Sequence, residues 1–297
     1  MANLKEVRDR IQSVNNTQQI TKAMKMVAAS KLRRAQDAIV SMRPYANKLD
    51  QILRNILANL EGDANTSFGV ERPVERACLV VITSNRGLAG AFNTNIGKAA
   101  KAVIDGEFRE LAEEGKLTVI CIGKKGYDYL RRRYSNLKFN TNYLDLFDDL
   151  TFERTEEVAQ YVMDAFDYGT YDKVVVAYSR FKNAAMQYAQ AVQFLPVVKL
   201  EAEGEDNFLR ADYIFEPNQK ELLEYLVPSI LKNTFYKFNL DTNAAEHGAR
   251  MTAMDQATEN AQELLKDLKL DYNKARQEAI TNQILEIVSG AAALEND

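Results

Sequence analysis

The chain has 297 residues, 46% of them hydrophobic and 27% charged, the balance of a folded globular protein and not of a disordered one. No run approaches the roughly eighteen consecutive apolar residues of a membrane span. The charged start, MANLKEVRDRIQSVNN, lacks the apolar core of a secretory signal, so the chain is expected to stay in the compartment where it is made.

The net charge of −4 hides an asymmetry. Residues 1–60 carry eleven Lys/Arg against four acids, a local +7, which leaves −11 for the remainder. A basic helical arm on an acidic body fits an acidic partner, whether nucleic acid, membrane surface or protein, and equally a solvated helix face.

Helical spacing begins with Leu4, Val7, Ile11 and Val14, slips near Thr17, and resumes with Ile20, Met24 and Val27. From Leu32 it runs Ala35, Ile39, Met42, Ala46, Leu49, Leu53, Ile56, Leu60. Steps alternating three and four are the heptad seam of a coiled coil. Pro44 falls inside this pattern and is expected to kink the helix locally. Glu61-Gly62-Asp63 closes the first region, residues 1–62.

Residues 63–218 have a different texture. ACLVVIT (77–83), LTVICIG (117–123) and KVVVAYS (173–179) are short β-branched runs typical of buried parallel strands. Between them, 93–114, 126–134 and 155–168 supply crossover helices. Residues 189–200 and 211–215 read as further strands, antiparallel at one edge. The two cysteines, Cys78 and Cys121, lie inside the apolar runs and read as buried thiols.

After Pro217-Asn218 a helical pattern fills 219–297 almost to the end. Ala261, Leu265, Leu268, Tyr272, Ala275 and Ala279 alternate four and three; after a one-residue slip, Ile280, Ile284, Ile287 and Ala291 continue. Pro228 is early enough to be absorbed, and Gly248 is the weak point. The expected fold is therefore α/β: a small Rossmann-like domain inserted between long terminal helices that pair as an antiparallel coiled coil. If Leu60 faces Gln219, facing residue numbers sum to about 279. Met24 then meets 251–254, Asn3 meets Arg276, and Ala279–Leu294 overhangs with a single charge, Glu286.

Chemistry-bearing motifs are few. Arg86-Gly87-Leu88-Ala89-Gly90-Ala91-Phe92 follows a strand and opens a helix, where α/β folds bind phosphate. It is not G-x-G-x-x-G, no G-x-x-x-x-G-K-[ST] occurs, and Gly123-Lys124-Lys125-Gly126 brings no ribose-binding acid, so the turn reads as structural. His247 is the sole histidine, which excludes a multi-His metal site, and its polar helical setting (AAEHGAR) suits no buried triad. The acids of 145–149 and 201–206 read as solvated loops. No catalytic, cofactor-binding or metal-ligating set is expected.

Three stretches resemble the ATP synthase gamma family: IQSVNNTQQITKAMKMVAASKLRRA (11–35), TSNRGLAGAFN (83–93), and 246–294, from EHGARMTAMDQATENA to YNKARQEAITNQILEIVSGAAAL. Asn85, Ala89 and Ala91 stand where that family more often has Asp, Cys and Gly, and Gly248 replaces a commoner Ala. The cysteine-bearing insertion of the plant chloroplast form is absent. The resemblance implies a non-catalytic central stalk, without cofactor, that couples rotation of the c-subunit ring to the catalytic beta subunits. Its partners would be alpha, beta, epsilon and the c ring, peripheral on the cytoplasmic face of a bacterial inner membrane. By the same resemblance, Met24 and Lys25 match positions facing the acidic lever loops of beta. Arg250, Gln277 and Thr281 match coupling positions toward the catalytic ring, and Tyr213 and Glu216 the foot that meets the c ring and epsilon. The overhang would then run inside an apolar collar of the surrounding ring. The alternative is a coiled-coil nucleic-acid binder using the basic arm, which Tyr45, the arm's only aromatic, disfavours.

Overall fold

The computed structural model describes residues 4–59, 67–197 and 219–295. In chain order the elements are α1 (Leu4–Asn59), β1 (Ala77–Ile82), α2 (Phe92–Asp105), α3 (Arg109–Glu113), β2 (Leu117–Ile122), α4 (Lys124–Arg131), β3 (Lys138–Asn140), α5 (Phe152–Asp167), β4 (Lys173–Phe181), β5 (Gln187–Leu195) and α6 (Gln219–Glu295). They form two compact units, Met1–Ala28 with Met251–Asp297, and Ala29–Arg250. The expected boundaries near 62 and 218, and the expected strand at 211–215, lie outside the described residues.

The first unit is an antiparallel helical pair. Thr21 Oγ1 and Thr258 Oγ1 are 2.8 Å apart, and Lys25 pairs with Asp255. Residue numbers sum to 279 at the first contact and 280 at the second, matching the register expected from counting residues. On α6, Met254, Ala261, Leu265 and Leu268 are buried, with Tyr272, Ala275 and Ala279 half-buried, as the heptad pattern requires.

On α1 the seam differs from the sequence reading. Val7, Thr21 and Ala28 are buried, with Ile11, Val14, Gln18 and Met24 half-buried, so the three–four stepping runs through Thr17 without a slip. Ile20 and Val27, expected on the seam, are exposed. The reason is the Thr21–Thr258 pair: a satisfied hydroxyl takes a seam position that apolar spacing alone would give to its neighbour.

The second unit is built on a five-stranded sheet of order β3-β2-β1-β4-β5. β1 pairs parallel with β2 and β4, β2 parallel with β3, and β5 lies antiparallel on β4. Every residue of β1 is buried, because both sheet faces are covered. Leu79 and Val81 face Phe92, Ile96, Ala100 and Ile104 of α2. Cys78, Val80 and Ile82 face α5 (Val158, Val162, Phe166) together with Leu226, Leu231, Phe235 and Phe238 of α6. Two elements were missed or merged in the sequence. β3 spans three residues, and the single helix expected over 93–114 breaks at Gly106, where a Cβ would meet the Ala102 carbonyl oxygen at 2.8 Å.

α6 runs unbroken through Pro228 and crosses from one face of the sheet to the other. Its residues 226–238 pack in one core layer, whereas Ala245 and Ala249 pack in the opposite one. Ser179 at the end of β4 marks the crossing, its amide donating to Thr242 Oγ1. At Gly248 the helix approaches so closely that a Cβ would stand 3.2 Å from the backbone of Ala184. That contact gives a physical reason for glycine where an alanine is commoner.

Candidate functional site

In an open parallel sheet, ligands bind at the carboxyl ends of the strands where the strand order reverses. Here that point lies beside β1, between its neighbours β2 and β4. Thr83 and Ser84 follow β1 there, both fully buried, and lead into the turn 85–91. Several polar groups around these strand ends are already engaged by the chain itself. Ser84 N donates to Asn93 Oδ1 (3.0 Å), a side chain from the first turn of α2. Ser84 Oγ donates to the Arg86 carbonyl (2.7 Å), and the amides of Lys124 and Lys125 donate to Asn85 Oδ1 and to the Ser84 carbonyl, each at 3.1 Å. Thr83 Oγ1 accepts from the Gly126 amide at 2.8 Å. The first amides of α4 are thus satisfied by protein oxygens.

The remaining side of this region is occupied by α6. Arg250 Nη2 donates to the carbonyls of Arg86 and Gly87, 3.3 Å each, and Nη1 donates to Glu246 Oε1 at 2.7 Å. Nη1 also lies 3.4 Å from His247 Nδ1. Arginine offers only donors, so Nδ1 accepts and the neutral ring carries its proton on Nε2. Burial, then the nearby charges of Arg250 and Lys31, hold His247 down to about 4. Burial pushes Glu246 up, opposed by Arg250, Lys31 and Arg86. Among the described residues, no group of three or more His, Cys, Asp or Glu could hold a metal ion.

The residues singled out from the sequence fall in different places. Met24 is half-buried on the pair's seam, and Lys25 is half-exposed and bonded to Asp255. Gln277 and Thr281 are exposed on α6. Arg250 is not the exposed helix residue that its sequence context suggests: its side chain is 12% exposed, because this part of α6 packs on the α/β unit. Nor is the AAEHGAR stretch solvated, with Ala244, Ala245 and Glu246 all buried. Tyr213 and Glu216 lie outside the described residues. The sequence reading missed Thr242 and Glu246. The available signal was the four-residue spacing of Glu246 and Arg250, which on most helices marks a surface pair.

A family model described as ATP synthase matches residues 3–294. The chain is 52% identical over 297 residues to the ATP synthase gamma chain of Cytophaga hutchinsonii, covering all of both chains. The chain belongs to the ATP synthase gamma family. A gamma chain is the central-stalk rotor subunit of ATP synthase and carries no catalytic site. Its partners are therefore other subunits of that complex, and nothing in the comparisons supports the nucleic-acid alternative. The fold is similar to the central stalk and c ring structure of Tetrahymena thermophila mitochondrial ATP synthase (TM-score 0.52, 25% identity, 80% of this chain and 99% of that one). It is also similar to a chain of the Euglena gracilis mitochondrial ATP synthase structure (TM-score 0.61, 24% identity, 98% and 94%). Among the described residues no helix is long and apolar enough to cross a membrane.

Proposed function

We propose that this chain is the shaft that transmits rotation of the c ring to the catalytic beta subunits, standing inside a ring of alpha and beta. The observation that carries the reading is the surface of the helical pair. Ile20, Met26 and Val27 of α1 and Ile280, Ile284, Leu285, Ile287 and Val288 of α6 are all exposed, between 44% and 71%. Apolar side chains along a helical pair, and on more than one face of a helix that outruns its partner, mark a surface that another protein covers. The occupant is an apolar collar of the alpha–beta ring.

In this reading Met24, Lys25, Gln277 and Thr281 meet the ring directly, and the basic arm complements acidic loops of beta by steering more than by strong ion pairs. The Lys25–Asp255 pair supports that view, since two half-exposed groups stabilise little and exchange readily for another acid. Tyr213 and Glu216 belong to the foot on the c ring and epsilon. The chain lies peripherally on the cytoplasmic face of a bacterial inner membrane.

The test is assembly. Expressed with the other subunits, the chain should co-purify in a complex that hydrolyses ATP and pumps protons, whereas calorimetry on the chain alone should detect no ATP binding in the micromolar range. A chain that purifies alone and binds ATP at micromolar concentration would overturn the shaft reading.

A further inference from the structure

Between residues 242 and 250, Thr242, Glu246 and Arg250 recur every four residues and so share one face of α6. That face is turned to the α/β unit at the carboxyl ends of its strands. Thr242 Oγ1 accepts from the Ser179 amide (3.4 Å) while donating to the Phe238 carbonyl (2.7 Å). The Glu246 side chain is 9% exposed, and its Oε1 holds one arm of the Arg250 guanidinium. The other arm reaches the carbonyls of Arg86 and Gly87, the two residues immediately before Leu88.

Leu88 is the one non-glycine residue at positive φ among the described residues, at 62°, and it is 64% exposed. A left-handed backbone is unfavourable for a leucine, and such strain persists only where surrounding bonds over-determine it. Ser84 Oγ and Arg250 both bond the Arg86 carbonyl, and Arg250 also bonds that of Gly87.

We propose that Glu246 is a positioning residue. By holding Nη1 of Arg250 it aims Nη2 at the Arg86 and Gly87 carbonyls, and the pair clamps the glycine turn to α6 so that helix and turn move as one body. Arg250 then acts on coupling inside this chain, through the turn, and not by reaching the catalytic ring itself. The functional consequence rests on the shaft reading; the clamp does not.

The experiment uses the intact ATP synthase complex and reads two quantities, amide hydrogen exchange across 86–91 and protons pumped per ATP hydrolysed. Glu246→Ala and Arg250→Ala should each speed exchange of the turn about tenfold, the scale of one charged hydrogen bond. The double variant should go no faster than either single one. Glu246→Gln keeps an acceptor at the same reach and should restore part of the protection, with pumping efficiency following the exchange rates. If Glu246→Ala does not assemble, Glu246→Gln against Arg250→Ala decides the same point. Unchanged exchange in the turn, or effects that add in the double variant, would overturn the clamp. A complex that hydrolyses ATP without pumping even with the native chain would count against the shaft reading alone, since exchange in the turn still reports on the clamp.

Discussion

Thr21 and Thr258 share a hydrogen bond of 2.8 Å at the seam of the helical pair, where heptad packing ordinarily places two apolar knobs. Thr258 Oγ1 also donates to the Met254 carbonyl at 2.7 Å, and Thr21 Oγ1 lies 3.0 Å from that of Gln18, so both hydroxyls are fully engaged. A polar pair at one seam position fixes register, because a slip in either direction would bury a hydroxyl against hydrocarbon.

The register has a direct consequence for crosslinking. Met24→Cys combined with Met254→Cys should form a disulfide under mild oxidation, since both lie on the seam and their numbers sum to 278. No cysteine in the first turn of α1 should link to one at Val288, which lies beyond the end of α1 in this pairing. A crosslink from Leu4→Cys to Val288→Cys would refute both the register and the overhang.

Gly123 and Gly115 both have positive φ, 89° and 68°, yet they predict different costs. At Gly123 a Cβ would stand 2.0 Å from the Thr83 carbonyl oxygen, which is backbone and itself close to the end of β1. At Gly115 nothing lies within 4 Å. Gly123→Ala should destabilise the chain by on the order of 3 kcal/mol or more, through overpacking and lost turn bonds. Gly115→Ala should cost about 1 kcal/mol, from backbone strain alone. Urea denaturation of the two variants side by side tests this; equal losses would contradict it.

Asp241, buried on α6, faces Lys237 of its own helix, Arg180 and Tyr178 of β4 and Arg43 of α1, and burial pushes its carboxyl up to about 6 despite the three cations. A folded-state pKa above the unfolded one means that the folded chain holds the proton more tightly. Stability is then unaffected below the unfolded value near 3.8, falls as pH rises to about 6, and stays lower above that. Asp241→Asn should therefore be more stable than the native chain at pH 7.5, by about 3 kcal/mol at most, and indistinguishable from it near pH 4. A variant less stable at pH 7.5 would show that the carboxylate is a net favourable partner for its cations.

Much of the architecture was legible because its signals are periodic. The β-branched runs at 77–83, 117–123 and 173–179 became three central parallel strands, and the four–three steps from Ala261 to Ala279 became the seam of α6. Periodicity reports that a face is buried, however, and not what covers it. Val227, Leu231, Phe235 and Phe238 repeat at helical spacing as a coiled-coil seam would, yet they pack against the sheet. For the same reason the spacing carried no sign that the Arg250 guanidinium is enclosed by the turn. Lys138-Phe139-Asn140 was too short and too polar to register as a strand. On α1 the seam passed through Gln18 and Thr21, invisible to an apolar count until their partners were known. That Asn93 and Arg250 occupy the strand ends was not legible from the glycine motif.

Rotation itself is the most direct measurement. Tyr168 is 85% exposed on the α/β unit, so Tyr168→Cys can carry a bead while the beta subunits are fixed to a surface. On adding ATP to the assembled complex, the bead should turn continuously in one direction, and it should stop when a disulfide joins α6 to the surrounding ring. ATP hydrolysis at the normal rate with a stationary bead, or with the disulfide in place, would contradict the account of this chain as the shaft.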